Sequence, residues 1–100
     1  MHQSKKHLYT KEQQQLALFA KALSHPARIA ILDLLKSQDF CYHGDMAEEL
    51  PIAKSTLSQH LKELKKAGLI QGDIIPPSVK YCINEENYRI ANLLFSALLK

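Results

Sequence analysis

Apolar residues recur along this chain at two different spacings, one typical of helices and one typical of strands. Leu16, Phe19, Ala20 and Leu23 stand at positions i, i+3, i+4 and i+7, which is the spacing of one face of an amphipathic helix. Comparable patterns recur further along the chain. Together they predict helices over residues 11–23, 27–36, 45–50, 54–67 and 85–99.

The second predicted helix is apolar around most of its circumference and leaves only Arg28, Asp33 and Lys36 as polar residues. A helix of this kind is expected in the centre of a domain, where neighbours pack against several of its sides. Pro26 suits its first turn, and Thr10 is well placed to cap the first helix. We therefore expect the hydrophobic core to form around residues 27–36.

Shorter runs have the β-branched and aromatic composition of strands. One covers residues 40–42, and two others, 69–75 and 79–83, flank Pro76, Pro77 and Ser78, which predicts a hairpin with a short rigid tip. The predicted fold is mainly α with a small β-hairpin, in the order α-α-(β)-α-α-β-β-α. A short helix, a turn and a second helix, followed directly by a hairpin, define a winged helix-turn-helix.

The length of 100 residues suits one domain with a single core, and 46% hydrophobic residues is too apolar for a disordered chain. No apolar stretch approaches the roughly 20 residues of a membrane helix, and the N-terminus has no secretory signal. We expect a cytoplasmic protein whose residues 1–10 form a flexible arm. Three glycines allow neither a Gly-rich phosphate loop nor a GxSxG nucleophile elbow, so we expect no cofactor and no enzyme activity.

Positive charge is concentrated on the predicted helix over residues 54–67. Between Lys54 and Lys66 there are four lysines and one glutamate, and this local excess equals the chain's net charge of +3. On the face opposite Leu57, lysines would contact DNA phosphates, while Gln59 and hydroxyl side chains would read base edges in the major groove. The alternative is an ordinary solvated helix face. The expected DNA-binding residues, with a lysine of the hairpin added, are Lys54, Ser55, Thr56, Ser58, Gln59, Lys62, Lys66 and Lys80.

Three segments resemble the ArsR/SmtB family of winged-helix repressors: LSHPARIAIL at 23–32, DMAEEL at 45–50, and KSTLSQHLKELKKAGLI at 54–70. The resemblance covers nearly the whole chain and implies a homodimeric repressor. Its two recognition helices would enter successive major grooves of a pseudo-palindromic operator in double-stranded DNA. It also implies that the first and last helices, 11–23 and 85–99, form the dimer interface. The apolar residues expected there are Leu16, Phe19, Leu23, Ile90, Leu93, Leu94 and Leu98.

The chain departs from the family pattern in two places, at the start of the recognition helix and at the positions where many relatives bind a metal. The family often has a capping Ser where this chain has Ala53, a poor N-cap residue. The usual metal-binding Cys-x-Cys positions fall on Tyr42 and Gly44, neither of which is a thiolate. A metal-responsive alternative uses a shifted pair, Cys41 and His43, with His2, His7 or Cys82 completing the shell. A second type of family metal site needs a His in the last helix, which has none.

The two cysteines support a further hypothesis. If the strand at 40–42 pairs with the hairpin, Cys41 and Cys82 become neighbours and could form a reversible redox pair. We favour the alternative, in which the two cysteines are small apolar side chains packed in a sheet and the cytosol keeps them reduced. Among the other residues, His60 is expected to be a half-buried packing residue or a phosphate contact, and His25 to start a helix. A protein-interaction module without DNA binding is the remaining alternative.

Overall fold

The computed structural model describes residues 8–75 and 78–100. The elements are α1 (Lys11–Ala22), α2 (Pro26–Ser37), β1 (Cys41–His43), α3 (Met46–Glu49), α4 (Lys54–Lys66), β2 (Ile70–Ile75), β3 (Ser78–Ile83) and α5 (Glu85–Leu98). The predicted order of elements is confirmed, and the predicted helix bounds differ from the observed ones by no more than one residue at each end. Most of the expected N-terminal arm and two prolines of the hairpin tip, Pro76 and Pro77, lie outside the described residues.

Side chains satisfy free backbone N–H groups at the start of several helices. At α1 the Thr10 hydroxyl accepts the Gln13 N–H over 3.0 Å, and the Gln13 side chain accepts the Thr10 N–H over 2.9 Å, which makes a complete capping box. Asp45 and Asn84 cap α3 and α5 in a similar way. Helix α4 differs, because its N-cap residue Ala53 provides no side-chain acceptor.

The turn after α2 sets the start of the first strand. The Phe40 N–H donates to the Leu35 carbonyl over 2.8 Å and closes the helix, with both Asp39 (φ 63°) and Phe40 (φ 74°) in the left-handed region. Left-handed backbone is costly for a bulky residue such as Phe. Because Phe40 belongs to this helix-ending turn, β1 begins at Cys41 rather than at residue 40 as predicted.

The strands form an antiparallel sheet in the order β1-β3-β2, so that β3 lies in the middle. Cross-strand partners share a face of the sheet, and successive residues alternate between faces. One face carries Tyr42, Ile70 and Ile83 into the core, where all three are buried. The opposite, outer face carries Cys41, paired in register with Cys82.

The core lies between the helices and the inner face of this sheet. Helix α2 occupies the centre, as its apolar circumference predicts, and α4 contributes three leucines on one face. The buried apolar side chains are Phe19, Ala22, Ile31, Leu32, Leu35, Tyr42, Met46, Leu57, Leu61, Leu64, Leu69, Ile70, Ile83 and Ala91. This packing fixes the orientation of α4 and leaves its opposite face free.

Candidate nucleic-acid interface

The face of α4 opposite its leucines is exposed over the full length of the helix. Leu57, Leu61 and Leu64 point into the core, where Leu64 is 0% exposed. Each polar residue predicted to contact DNA is exposed, namely Lys54, Ser55, Thr56, Ser58, Gln59, Lys62 and Lys66 on α4 and Lys80 on β3. The exposed surface of α4 thus carries cations, hydroxyls and an amide, a combination suited to phosphates and base edges.

A side-chain hydrogen bond at the N-terminus of α4 does not replace the missing N-cap. Ala53 has the extended backbone of an N-cap residue (φ −63°, ψ 143°) but no side-chain hydrogen bond. The Thr56 hydroxyl donates to the Ala53 carbonyl over 2.9 Å. Since it acts there as a donor, it satisfies no free N–H of the first turn. This contact therefore does not compensate for the missing N-cap.

The short helix α3 is anchored to the sheet by a buried tyrosine. The Tyr42 hydroxyl donates a hydrogen bond to a carboxylate oxygen of Glu49 at the end of α3. This hydrogen bond, with burial second, raises the pKa of Tyr42 to about 12. Tyr42 is therefore neutral at physiological pH and acts as a fixed donor that ties α3 to β1.

Arg28 of α2 joins three helices. Its Nε donates to His60 Nδ1 on α4 over 3.2 Å, and its Nη1 donates to the carbonyls of Lys21 and Ala22 at the end of α1, over 3.2 and 3.4 Å. Since His60 Nδ1 accepts, the proton of the neutral ring lies on Nε2. Arg28 therefore links α1 directly to the recognition helix.

Two histidines pack together beside this arginine. His25 caps α2 by accepting the Ala27 N–H at its Nδ1 over 3.0 Å, which confirms its predicted position at the helix start. Its ring lies 4.5 Å from that of His60, centroid to centroid. Burial lowers the pKa of His60, and the neighbouring His25 and Arg28 add to the effect. His60 is half-buried, in agreement with the packing role predicted for it.

The hairpin formed by β2 and β3 is tied to the end of α4. Lys65 Nζ donates to the Gly72 carbonyl on β2 over 3.3 Å. A side chain at Gly72 would collide with the ring of Tyr81 on β3, so this position needs a glycine for close packing rather than for backbone freedom. Through Lys65, the hairpin is held in a fixed relation to the recognition helix.

The cysteines are joined rather than separate. Cys41 on β1 and Cys82 on β3 form a disulfide with a Cα–Cα distance of 4.0 Å. The favoured interpretation of two unlinked packed cysteines is therefore wrong in this structure. Nor is the Cys41 sulfur free to act as a thiolate ligand beside His43. Among the residues placed by the structure, no group of three or more His, Cys, Asp or Glu side chains is arranged to hold a metal.

Apolar side chains remain exposed on the first and last helices. Of the predicted interface residues, Leu93 is 59% and Leu98 64% exposed, whereas Leu16, Leu23, Ile90 and Leu94 are half-buried. Phe19 is 1% exposed and belongs to the protomer's own core, so its assignment to the interface is corrected. The adjacent Leu18 is 56% exposed and was not among the predicted interface residues, because two neighbouring apolar residues give little signal of which one faces inward.

Other contacts at this site had weak signals in the sequence. Arg28 and Lys65 lie in predicted helices, but their partners are 32 and 7 residues away along the chain. The one hint in the sequence was that Arg28 is among the few charged residues of a mainly apolar helix. Within the described ranges, no helix has both the length and the apolar character required to cross a bilayer.

A recognition helix with an exposed polar face, a short helix before it and a hairpin after it together define a winged helix-turn-helix regulator. Residues 23–72 match a family described as "Helix-turn-helix domain". The chain is 42% identical over 64 residues to the transcriptional repressor SdpR of Bacillus subtilis (strain 168), covering 64% of this chain and 70% of that protein. It is 32% identical over 78 residues to the HTH-type transcriptional repressor SmtB of Mycobacterium tuberculosis (strain ATCC 25618 / H37Rv), covering 78% of this chain and 56% of that repressor.

The fold has solved counterparts. An ArsR-like transcriptional regulator from Rhodococcus sp. RHA1 superposes with a TM-score of 0.70 at 22% identity, over 88% of this chain and 83% of that one. This likeness establishes the fold, and the sequence relatives establish the family. The chain belongs to the ArsR/SmtB family of transcriptional repressors, whose members are DNA-binding regulators rather than enzymes.

Proposed function

We propose that this protein is a cytoplasmic homodimeric repressor that binds a pseudo-palindromic operator in double-stranded DNA through α4. The observation that carries the proposal is the continuous exposed face of α4, on which cations and small polar side chains lie opposite three core leucines. A helix whose core face is fixed in this way presents its polar face as a rigid reading surface, which suits insertion into the major groove.

The residues of this surface have separate tasks. Gln59 can form two hydrogen bonds with adenine, and Ser55, Thr56 and Ser58 can bond to base edges near the N-terminus of α4. Lys54, Lys62 and Lys66 neutralise phosphates and supply most of the affinity, while Lys80 on the hairpin reaches a flanking phosphate or the minor groove. Base contacts therefore set the preferred sequence, and lysine contacts set the salt dependence.

The proposed dimer uses α1 and α5, which already pack against each other within one protomer. Leu18, Leu93 and Leu98 are each more than half exposed. Large apolar side chains exposed on both of two packed helices suit an interface rather than a free surface. A second copy would cover these side chains and place a second α4 in the next turn of the major groove.

A salt titration on operator DNA tests the assignment. The duplex is first selected from a random library, and its affinity is then measured at several salt concentrations. We expect Lys62→Ala or Lys66→Ala to weaken binding to every sequence and to reduce the slope of log affinity against log salt by about 0.9 for each lost phosphate contact. Gln59→Ala should instead relax the base preference, at a cost of about 1–3 kcal/mol in discrimination.

Lys36→Ala serves as the matched control, because Lys36 is an exposed lysine at the end of α2, outside the proposed surface. It removes the same charge and should leave the salt slope unchanged. Affinity that is unaffected by all three α4 substitutions would refute the assignment of α4 as the DNA-binding helix.

A further inference from the structure

We propose that Cys41 and Cys82 form a reversible thiol–disulfide site that regulates the hairpin's contribution to DNA binding. The proposal rests on the proposed function, since it concerns regulation of the same DNA-binding surface. It adds a chemical signal, namely a dithiol reductant or a disulfide oxidant, and a site on the sheet at which that signal acts.

The fold itself brings the two sulfurs together. The cysteines are 41 residues apart in sequence and become direct partners only when β1 pairs with β3. The Ile83 N–H donates to the Phe40 carbonyl over 2.8 Å. Phe40 and Ile83, the cross-strand pair next to the cysteines, are therefore a hydrogen-bonded pair. The cysteines therefore occupy a non-hydrogen-bonded pair, where the side chains of antiparallel strands approach most closely.

The disulfide is on the accessible side of the sheet. Its register puts it on the outer face, opposite the face that carries Tyr42 and Ile83 into the core, and both cysteines are only half-buried. Cys82 also lines a cavity of about 390 Å³ together with Lys65 and Lys80. Nearby cations stabilise a thiolate, so this cavity favours thiol–disulfide exchange at Cys82.

The exchange balances with a dithiol as the reductant. One thiolate of the dithiol attacks Cys41 Sγ, a mixed disulfide forms, and Cys82 leaves as a thiolate that the nearby lysines stabilise before it takes up a proton. The second thiolate of the reductant then attacks its own sulfur in the mixed disulfide and releases Cys41, which is protonated in turn. Two electrons pass to the protein and the reductant becomes a disulfide. A disulfide oxidant reverses these steps.

The bond lies at the base of the hairpin. Residues 80–82 of β3 pair with β1, whereas residues 78–79 pair with β2 alone, so the hairpin projects beyond its attachment to β1. Lys80, which the proposed function places on DNA, is two residues from Cys82. The disulfide thus restricts β3 next to Lys80, and reduction leaves the short three-residue pairing of β1 as the main connection.

Holding a contact in its bound position lowers the entropy cost of binding. The oxidised protein should therefore bind DNA more tightly than the reduced protein, by about threefold to tenfold, which is the effect of ordering one long side chain.

The test compares the full chain equilibrated with a thiol reductant or with oxidised glutathione. Affinity for the selected DNA duplex is measured in each state, and alkylation followed by mass spectrometry counts free thiols in the same samples. We expect no free thiols and the tighter affinity after oxidation, and two free thiols and the weaker affinity after reduction. Cys41→Ser and Cys82→Ser should bind like the reduced protein in both buffers. Their circular dichroism serves as the check on folding.

The wild-type comparison needs no variant, so the proposal stays testable if a serine variant fails to fold. Two free thiols in the oxidising buffer, or equal affinities despite a complete disulfide, would overturn the proposal and leave the DNA-binding assignment intact. Absence of DNA binding in both states would overturn the proposed function and the regulation together. The thiol count distinguishes these cases.

Discussion

Replacing Ala53 by serine should stabilise this protein, because Ala53 is the N-cap residue of α4 and provides no acceptor. Its backbone already has the extended conformation of an N-cap, and its side chain is exposed, so a serine hydroxyl fits without rearrangement. The new oxygen would accept the N–H of Ser55 or Thr56, two groups of the first turn that lack an intrahelical partner.

The size of the effect follows from this single hydrogen bond. Exchanging Ala for Ser at an N-cap typically contributes about 1 kcal/mol, within a range of about 0.5–2 kcal/mol. For a domain of this size, that corresponds to a rise in Tm of about 4–8 °C. Ala53→Ser should therefore increase both the midpoint of thermal unfolding and the midpoint of urea unfolding, without a change in the urea m-value.

The assay is unfolding followed by circular dichroism, at one protomer concentration and one redox state, because dimerisation and the disulfide both alter apparent stability. Ala53→Thr and Ala53→Val form a matched pair, since their side chains have the same shape and only threonine carries an acceptor. Threonine should be the more stable of the two. A serine variant no more stable than wild type, together with equal stabilities of the threonine and valine variants, would refute this account of the α4 N-terminus.

Two pH predictions follow from the shifted pKa values of Tyr42 and His60. The raised pKa of Tyr42, about 12, means that the unfolded chain loses this proton first, so stability is full below about pH 10 and falls between about pH 10 and 12, by up to about 1.4 kcal/mol per pH unit. Tyr42→Phe should lack this fall and lose about 1 kcal/mol at neutral pH in denaturant titrations; parallel alkaline curves for both proteins would contradict the prediction. The lowered pKa of His60 has the opposite consequence: its contribution is full above about pH 6.5 and is lost as the pH falls, because the unfolded chain takes up the proton first. His60→Asn keeps an acceptor for Arg28 but does not titrate, so its unfolding free energy should fall less than that of wild type between about pH 7 and 5; an equal fall would argue against His60 as the titrating group.

Local sequence patterns predicted the helices and strands, because the formation of each element depends mainly on the residues within it. The leucine spacing of α4 determines which face is buried, so the exposed polar face could be read from the sequence. Thr10 was recognised as a cap for the same reason, since a cap depends on its immediate neighbours. The strand start was off by one residue because Phe40 is recruited to the turn that closes α2, where backbone bonding outweighs aromatic strand propensity.

Most features that depend on packing between elements were not predicted. Phe19 and Leu18 are adjacent and both apolar, and only the position of the neighbouring helices buries the first and exposes the second. The contact of Arg28 with His60 requires the orientation of two helices that sequence periodicity does not supply. The proximity of the cysteines was foreseen from the expected strand pairing, whereas their bond was not. The strand register fixes the distance between the two cysteines but does not determine whether they are oxidised.

The central claim is that two copies of α4 read one DNA site, and selection from a random duplex library tests it most directly. The library is bound to the full chain over several rounds, and the enriched sequences are aligned. We predict an inverted repeat whose half-sites are centred about 10–10.5 base pairs apart, which is one turn of the double helix. A pool in which no sequence is enriched, or in which single half-sites occur without a repeat, would contradict it.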